Sequence, residues 1–268
     1  MIMDKAPTGG RGPARDRYQQ LADWLQADGR IEVAQAATRL GVAPETVRRD
    51  LRTMEADGRL VRVHGGAVPV LPRPANPLSG RHSSRYTAFG RQLWQRLPRR
   101  GTLLIGTGDP ALGLAEAIAA DPPADEGLTI VTNFLDAAIV LSRTRNLGVY
   151  NIGGTVSPDS GGQEGDWAIT ELNRLRTDIS VVCAAGLSAT DGLSDYSPAG
   201  AAVCRAETLV GRRVIAIADT AAVGSSAFVQ FASIDEIDEL ALAGSIDDRQ
   251  LRPFRERGLP LTVAPTDG

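Results

Sequence analysis

At 268 residues, with 43% hydrophobic and 23% charged side chains, the chain can bury a sizeable core and reads as a globular protein of one large or two smaller domains. No apolar run is long enough to span a bilayer, the polar start MIMDKAPTGGRGPAR is not a signal peptide, and Cys183 and Cys204 have neither disulfide-framework nor zinc spacing. The expectation is a reduced cytoplasmic protein with no metal site, no cofactor and no membrane partner.

The net charge of −3 conceals a split, with 18 basic against 9 acidic residues up to position 108 and 11 against 23 after it. No acidic residue lies between Asp57 and Asp109. Such asymmetry suggests that one end meets a polyanion; the alternative is a basic surface docked on the protein's own acidic half.

In chain order, residues 1–14 read as a disordered tail and residues 15–70 as a small domain. DRYQQLADWLQA (16–27) spaces Tyr18, Leu21 and Leu25 as a helix, with Trp24 on a flank, until Asp28-Gly29 stops it. A second helix near 32–40 carries Val33, Ala36, Ala37 and Leu40 and ends at Gly41. Pro44 opens a third, where its fixed φ and missing N–H cost nothing. In PETVRRDLRTME, Val47, Leu51 and Met54 follow i, i+4, i+7 and face inward.

The opposite side of that helix presents Glu45, Arg49 and Arg52, flanked by Thr46, Thr53 and Arg48. A helix, a tight turn and a second helix with a basic outer face form a helix-turn-helix, whose second helix enters the major groove. Arginine there can pair bidentately with guanine. The plainer alternative is a solvated face with the arginines paired to Glu45, Asp50 and Glu55. GRLVRVHGGAVPV (58–70) alternates Leu60, Val61 and Val63 with Arg59 and Arg62 and turns at His64-Gly65-Gly66. It reads as a hairpin wing that lays Arg62 and His64 on phosphates. The candidate DNA contacts are Pro44, Glu45, Thr46, Arg48, Arg49, Arg52, Arg59, Arg62 and His64.

Residues 71–90 read as a Pro-rich basic linker, with a basic helix-like stretch around 86–97, and 91–268 as an α/β domain for effector sensing and oligomerisation. Strands TLLIG (102–106), LTIVT (128–132), LGVYNIGG (147–154), ISVVCAAG (179–186), RVIAIAD (213–219), IDELALA (237–243) and LPLTVA (259–264) alternate with helices from about 110 and 133 and near 166–175, 199–210 and 247–257. This alternation predicts a mostly parallel, doubly wound sheet, which binds ligands at the carboxyl ends of its strands. That edge holds Gly106-Thr107-Gly108-Asp109, Thr132-Asn133, Gly153-Gly154, Ala185-Gly186 and Asp219-Thr220. Singly these are turns; together they suggest a small-molecule pocket.

GVAPETVRRDLRTMEADGRLVRVHGGAV resembles the N-terminal winged helix-turn-helix of the DeoR family of bacterial transcriptional regulators, through ETVRRDL, the glycine after the recognition helix, and RVHGGAV. VTN, NIGGTV, DGLS and IAD line up in order with that family's effector domain, so the resemblance runs from about residue 16 over nearly the whole chain. It implies a Rossmann-like effector domain similar to ribose-5-phosphate isomerase and a sequence-specific regulator, usually a repressor. Its implied partners are double-stranded operator DNA, a sugar, sugar phosphate or similar effector, and copies of itself in a dimer or tetramer. The implied effector-binding residues are Gly106, Thr107, Gly108, Asp109, Thr132, Asn133, Gly153, Gly154 and Asp219.

One departure from the family pattern lies ahead of the recognition helix, and the others fall at this pocket. Ala43-Pro44 stands where the family has Ser or Thr before the recognition helix. Gly106-Thr107-Gly108-Asp109-Pro110 replaces an Asp-x-Gly-Thr-Thr loop, Gly200 and Cys204 stand for a Glu and a Lys, and Ala222 for another Lys. The only lysine in the chain is Lys5. Asp109 before Pro110 is expected to cap the following helix and occupy its anion-binding donors. The pocket is then expected to refuse a standard phosphosugar at the phosphate loop. It would take a neutral, amine-bearing or differently placed ligand, or have lost ligand control. Two other functions compete. An isomerase-type sugar-phosphate enzyme would need Asp109, Asp191, Asp195 or Asp219 as acid or base. A protein-docking adaptor using the acidic half would leave the recognition-helix pattern unexplained.

Overall fold

The computed structural model describes residues 13–28, 30–56, 59–63, 65–69 and 83–267; His64, linker residues 70–82 and the tail up to residue 12 lie outside the described residues. The described residues fall into two compact units, one before and one after that linker.

The first unit runs α1 (Pro13–Asp28), β1 (Ile31–Glu32), α2 (Val33–Leu40), α3 (Pro44–Ala56), β2 (Leu60–Val63) and β3 (Gly66–Pro69). Its core joins Leu21 and Leu25 of α1 to Val33, Ala36 and Ala37 of α2, to Val47, Leu51 and Met54 of α3, and to Leu60 and Ala67 of the hairpin. Gly41 ends α2 in the left-handed conformation (φ 64°), with its N–H and that of Val42 on the last carbonyls of the helix. Sheet order β1-β3-β2 adds a third strand to the expected two, because Ile31 pairs with Ala67. A two-residue strand carries no periodicity from which a sequence could reveal it.

In the second unit a 3-10 turn (Ser83–Tyr86) leads into α4 (Thr87–Trp94). Residues 83–90 were expected to end the linker. Tyr86 and Phe89 are instead buried in the core, so this stretch belongs to the packed unit. The chain continues through β4 (Gly101–Ile105), α5 (Asp109–Ala120), β5 (Leu128–Thr132), α6 (Leu135–Ser142), β6 (Leu147–Asn151), the hairpin β7 (Thr155–Val156) and β8 (Gln163–Glu164), α7 (Asp166–Asn173) and β9 (Thr177–Cys183). Then come β10 (Gly186–Ser188), β11 (Gly192–Asp195), α8 (Pro198–Val210), β12 (Gly211–Asp219), β13 (Val229–Ala232), β14 (Glu239–Ala243), α9 (Asp248–Glu256) and β15 (Leu261–Ala264).

Among the described residues the main sheet has seven strands in the order β15-β14-β12-β9-β4-β5-β6, all parallel. Alternate side chains enter opposite layers. Leu103, Ile105, Val181 and Ile215 meet α4, α5 and α6, while Leu104 and Val131 meet α7 and α8. This is the expected doubly wound α/β arrangement. The sequence reading missed an antiparallel sheet, β10-β11-β13, which interrupts the alternation. The expected strand 179–186 accordingly ends at Cys183, and Gly186 starts a separate one. The chain builds outward from β4 to β5 and β6, then crosses back to lay β9 on the other side of β4. The carboxyl ends of β4 and β9 therefore form the topological switch point of the sheet.

Candidate functional sites

In the first unit α3 turns Val47, Leu51 and Met54 fully inward and leaves Glu45, Arg48, Arg49, Arg52 and Thr53 exposed, as expected, with Thr46 half-buried. The carbonyl of Ala43 accepts from the N–H groups of Thr46 and Val47, so the helix starts without a side-chain cap from that residue. Arg48 pairs with Glu45 at 2.8 Å, Arg52 approaches the same carboxylate at 3.5 Å, and Arg62 of the wing pairs with Glu55 at 3.3 Å. Among the described residues neither Arg49 nor Arg59 has an ion pair. Exposed pairs of this kind contribute about 0–1 kcal/mol and yield readily to a polyanion.

Asp50, expected as a possible partner of these arginines, is buried and held by Arg17 of α1. The Arg17 Nε donates to Oδ2 at 2.8 Å and Nη2 to Oδ1 at 3.1 Å. This bidentate pair fastens α1 to the back of α3, and the hydrogen bond to Asp50 pushes the Arg17 pKa up. Asp50 falls on the inward stripe with Val47, Leu51 and Met54, and that position was the signal that could have exposed it. Arg17→Ala strands a buried carboxylate and should destabilise the first unit by about 2–3 kcal/mol. Urea unfolding should show this loss, and DNA affinity measured well below the transition should change far less.

The expected effector-binding residues do gather at the strand ends of the second unit, but they are engaged very differently. Thr132 is saturated, since its hydroxyl donates to the Ile105 carbonyl at 2.7 Å and accepts from the Phe134 N–H at 3.0 Å. Asp219 accepts from the Tyr86 hydroxyl at 2.8 Å, the Arg85 guanidinium at 3.3 Å and the Ala221 N–H at 2.8 Å. Gly154 has φ 153°, and a Cβ there would meet the Glu164 carbonyl oxygen at 2.7 Å. Gly153 lies near Trp167, which is strongly exposed. Of the carboxylates needed by the competing enzyme, Asp191 accepts from Ser226 and Asp195 from the Ser197 N–H.

Asp109 does not cap α5. Gly108 holds the cap position at φ 152° with no side-chain hydrogen bond, and Asp109 and Pro110 form the first turn. The cause is the close passage of β9: a Cβ on Gly108 would meet the Cys183 sulfur at 2.7 Å, so glycine turns the chain into the helix one residue early. The Asp109 charge nevertheless stands in the first turn, where it already offsets the helix dipole.

Under Gly106 lies a residue that the sequence reading passed over. Glu207 of α8 is 1% exposed, and a Cβ on Gly106 would stand 2.5 Å from its Oε2. Neither of its oxygens has a hydrogen-bond partner among the described residues. The other buried glutamate, Glu239, takes two arginines, Arg96 at 2.7 Å and Arg213 at 2.5 Å. Burial, then the charge of Asp195, pushes the Glu207 carboxyl up to about 8. On the Thr107 side, Thr107 Oγ1, Asn133 Oδ1 and Gln163 Oε1 are likewise buried without partners. They are linked: Gly162 packs on Thr107, and the side-chain nitrogen of Asn133 donates to the Gln163 carbonyl at 3.3 Å.

Comparison with known proteins follows the same two units. A DeoR-like helix-turn-helix domain matches residues 17–71, and a DeoR C terminal sensor domain matches residues 83–242. The HTH-type transcriptional regulator GolR of Listeria innocua is 24% identical, over 93% of this chain and 98% of its own. The HTH-type transcriptional repressor GlcR of Bacillus subtilis is 28% identical, over 84% and 86%. Ribose 5 phosphate isomerase A from Neisseria gonorrhoeae overlaps 53% of each chain at a TM-score of 0.38 and 11% identity, too little to argue from. No helix among the described residues is long and apolar enough to cross a membrane.

Proposed function

The chain belongs to the DeoR family of DNA-binding transcriptional regulators, and from that premise we propose that it represses a carbohydrate or related metabolic operon until a small metabolite binds its second unit. α3 reads bases, with Arg48, Arg49 and Arg52 reaching into the major groove from behind Glu45 and Thr46. Arg59, Arg62 and the wing hold phosphates. The observation that carries this assignment is the exposed Arg49, without an ion pair among the described residues, on the outer face of a helix whose inner face is locked by Val47, Leu51 and Met54. The metabolite binds where the loops after β4, β5 and β6 meet, at Gly106–Asp109, Asn133 and Gly153–Gly154.

No catalytic step is assigned. Of the candidate acids Asp109, Asp191, Asp195 and Asp219, the last three are engaged by neighbouring groups, and the second unit contains no lysine to act as a base. We also propose a cytoplasmic homo-oligomer with an even number of subunits, matching repeated half-sites. Tyr150 on the open edge strand β6 and Trp167 are 64% and 72% exposed, which supports an unfilled contact surface. Selection of bound duplexes from a random pool should return one defined motif in two or more copies. A pool that stays random after several rounds would rule out sequence-specific recognition.

A further inference from the structure

Buried polar atoms in folded proteins almost always have partners, and those without them mark places where something else binds. In this unit they collect at one end of one sheet. Glu207 lies beneath Gly106, while Thr107, Asn133 and Gln163 follow along the adjoining loops and Asp136 Oδ2 stands in the first turn of α6. The Asn133 and Gln163 oxygens and the ionised Glu207 carboxylate only accept, while the Thr107 hydroxyl and the protonated Glu207 carboxyl can also donate. They surround the carboxyl ends of β4 and β9, the switch point of the sheet.

The charges that face Glu207 have one sign. Asp195 comes from β11, with Glu164 of β8 close enough to feel it, and Asp109 from α5 stands across Cys183. The thiols of Cys183 and Cys204 complete the surroundings, and burial raises both. Among the described residues no cation is paired with Glu207, although two arginines serve Glu239 and one serves Asp50. A phosphate placed here would add negative charge beside Asp195 and Glu164 and meet acceptors at Asn133 Oδ1 and Gln163 Oε1. An ammonium group would supply the missing cation, and hydroxyls the missing donors.

Resting on the assignment of this strand end as the effector site, we infer that the effector is a small polyhydroxylated amine whose ammonium pairs with the Glu207 carboxylate beside the Gly106 loop, with its hydroxyls donating to Asn133 and Gln163. Before binding, the Glu207 carboxyl holds its proton at neutral pH. The arriving ammonium makes the charged form the stable one, so binding expels that proton to solvent and leaves an ion pair.

The test is calorimetry on the full chain at pH 6.5, where the amines are protonated. D-glucosamine, D-galactosamine and D-mannosamine are each compared with the parent hexose and the hexose 6-phosphate. Repeating each titration in two buffers of different ionisation enthalpy gives the protons released. The amino sugars should bind at least tenfold more tightly than the hexoses and phosphates, release about one proton per site, and loosen the protein from its selected duplex. Glu207→Gln keeps the shape and removes the charge; it should weaken amine binding at least tenfold and abolish proton release. Gly106→Ala sets a methyl 2.5 Å from Glu207 Oε2 and displaces the carboxylate from its place, so it should do the same, and a folding defect in one variant leaves the other decisive. Tighter binding of a hexose 6-phosphate, unchanged in Glu207→Gln, would overturn the amine and leave the effector site standing. Failure of every compound to bind, with DNA affinity unmoved, would overturn both.

Discussion

Glu207→Gln is expected to make the protein more stable above pH 8 and to flatten its stability profile between pH 5 and pH 9. A glutamate ordinarily titrates near 4.5, and burial of Glu207 raises this to about 8. Between these values the unfolded chain has released the proton and the folded chain has not, so the unfolded state binds fewer protons. Stability must then fall as pH rises, by about 1.4 kcal/mol per pH unit, for a total of about 5 kcal/mol at most. Below pH 4.5 both states hold the proton, and wild type and variant should be equally stable. Above pH 8 the folded protein carries an unpaired buried charge and the penalty is complete. Asp195 and Glu164 are also raised, mainly by burial, so the wild-type slope keeps a remnant in the variant. Urea unfolding at pH 5, 7 and 9 measures the effect. An identical wild-type-to-variant difference at all three would show that Glu207 does not titrate as its burial requires.

The second large effect concerns DNA. Arg49→Ala should lower affinity for the selected duplex by about tenfold to hundredfold, and barely change affinity for random DNA, because a bidentate arginine–guanine contact carries about 1–3 kcal/mol of discrimination. Arg62→Ala should weaken both nearly equally and reduce the slope of log K against log salt by about one, the signature of a lost phosphate contact. The difference follows from their placement. Arg49 projects from α3 with no ion pair among the described residues, whereas Arg62 lies on β2 with its backbone N–H and guanidinium both on Glu55. Fluorescence anisotropy on the two duplexes over a salt series separates the cases. Equal loss on both duplexes for both variants would mean that α3 reads no bases.

Much of this was legible from spacing. Val47, Leu51 and Met54 announced which face of α3 turns inward, Gly41 its preceding turn, and the alternation after residue 100 the parallel sheet. What stayed hidden depends on partners remote in sequence. Arg17 and Asp50 are 33 positions apart, and nothing in either neighbourhood names the other. The β10-β11-β13 sheet is made of strands too short to show a period. Asp109 looked like a cap because its neighbour is proline, but the deciding contact is Cys183 against Gly108, from a strand more than seventy residues on. Glu207 was the nearest miss. It shares the helical stripe of Val203, Ala206 and Val210, all buried, and one acid on such a stripe is a visible anomaly once the stripe is drawn.

Gly106 and Glu207 claim the same space, and this makes their histories interdependent. An acid installed at position 106 while Glu207 remains would force two carboxylates into one buried volume, both a steric and an electrostatic conflict. Shortening residue 207 first removes the conflict and makes the second change harmless. The two substitutions therefore show sign epistasis: the same mutation at 106 is damaging or acceptable according to what α8 carries. A lineage that has acquired this pair cannot regain an acid on the β4 loop in one step, and its sensor is confined to the chemistry that a carboxylate from α8 can serve until the helix changes first.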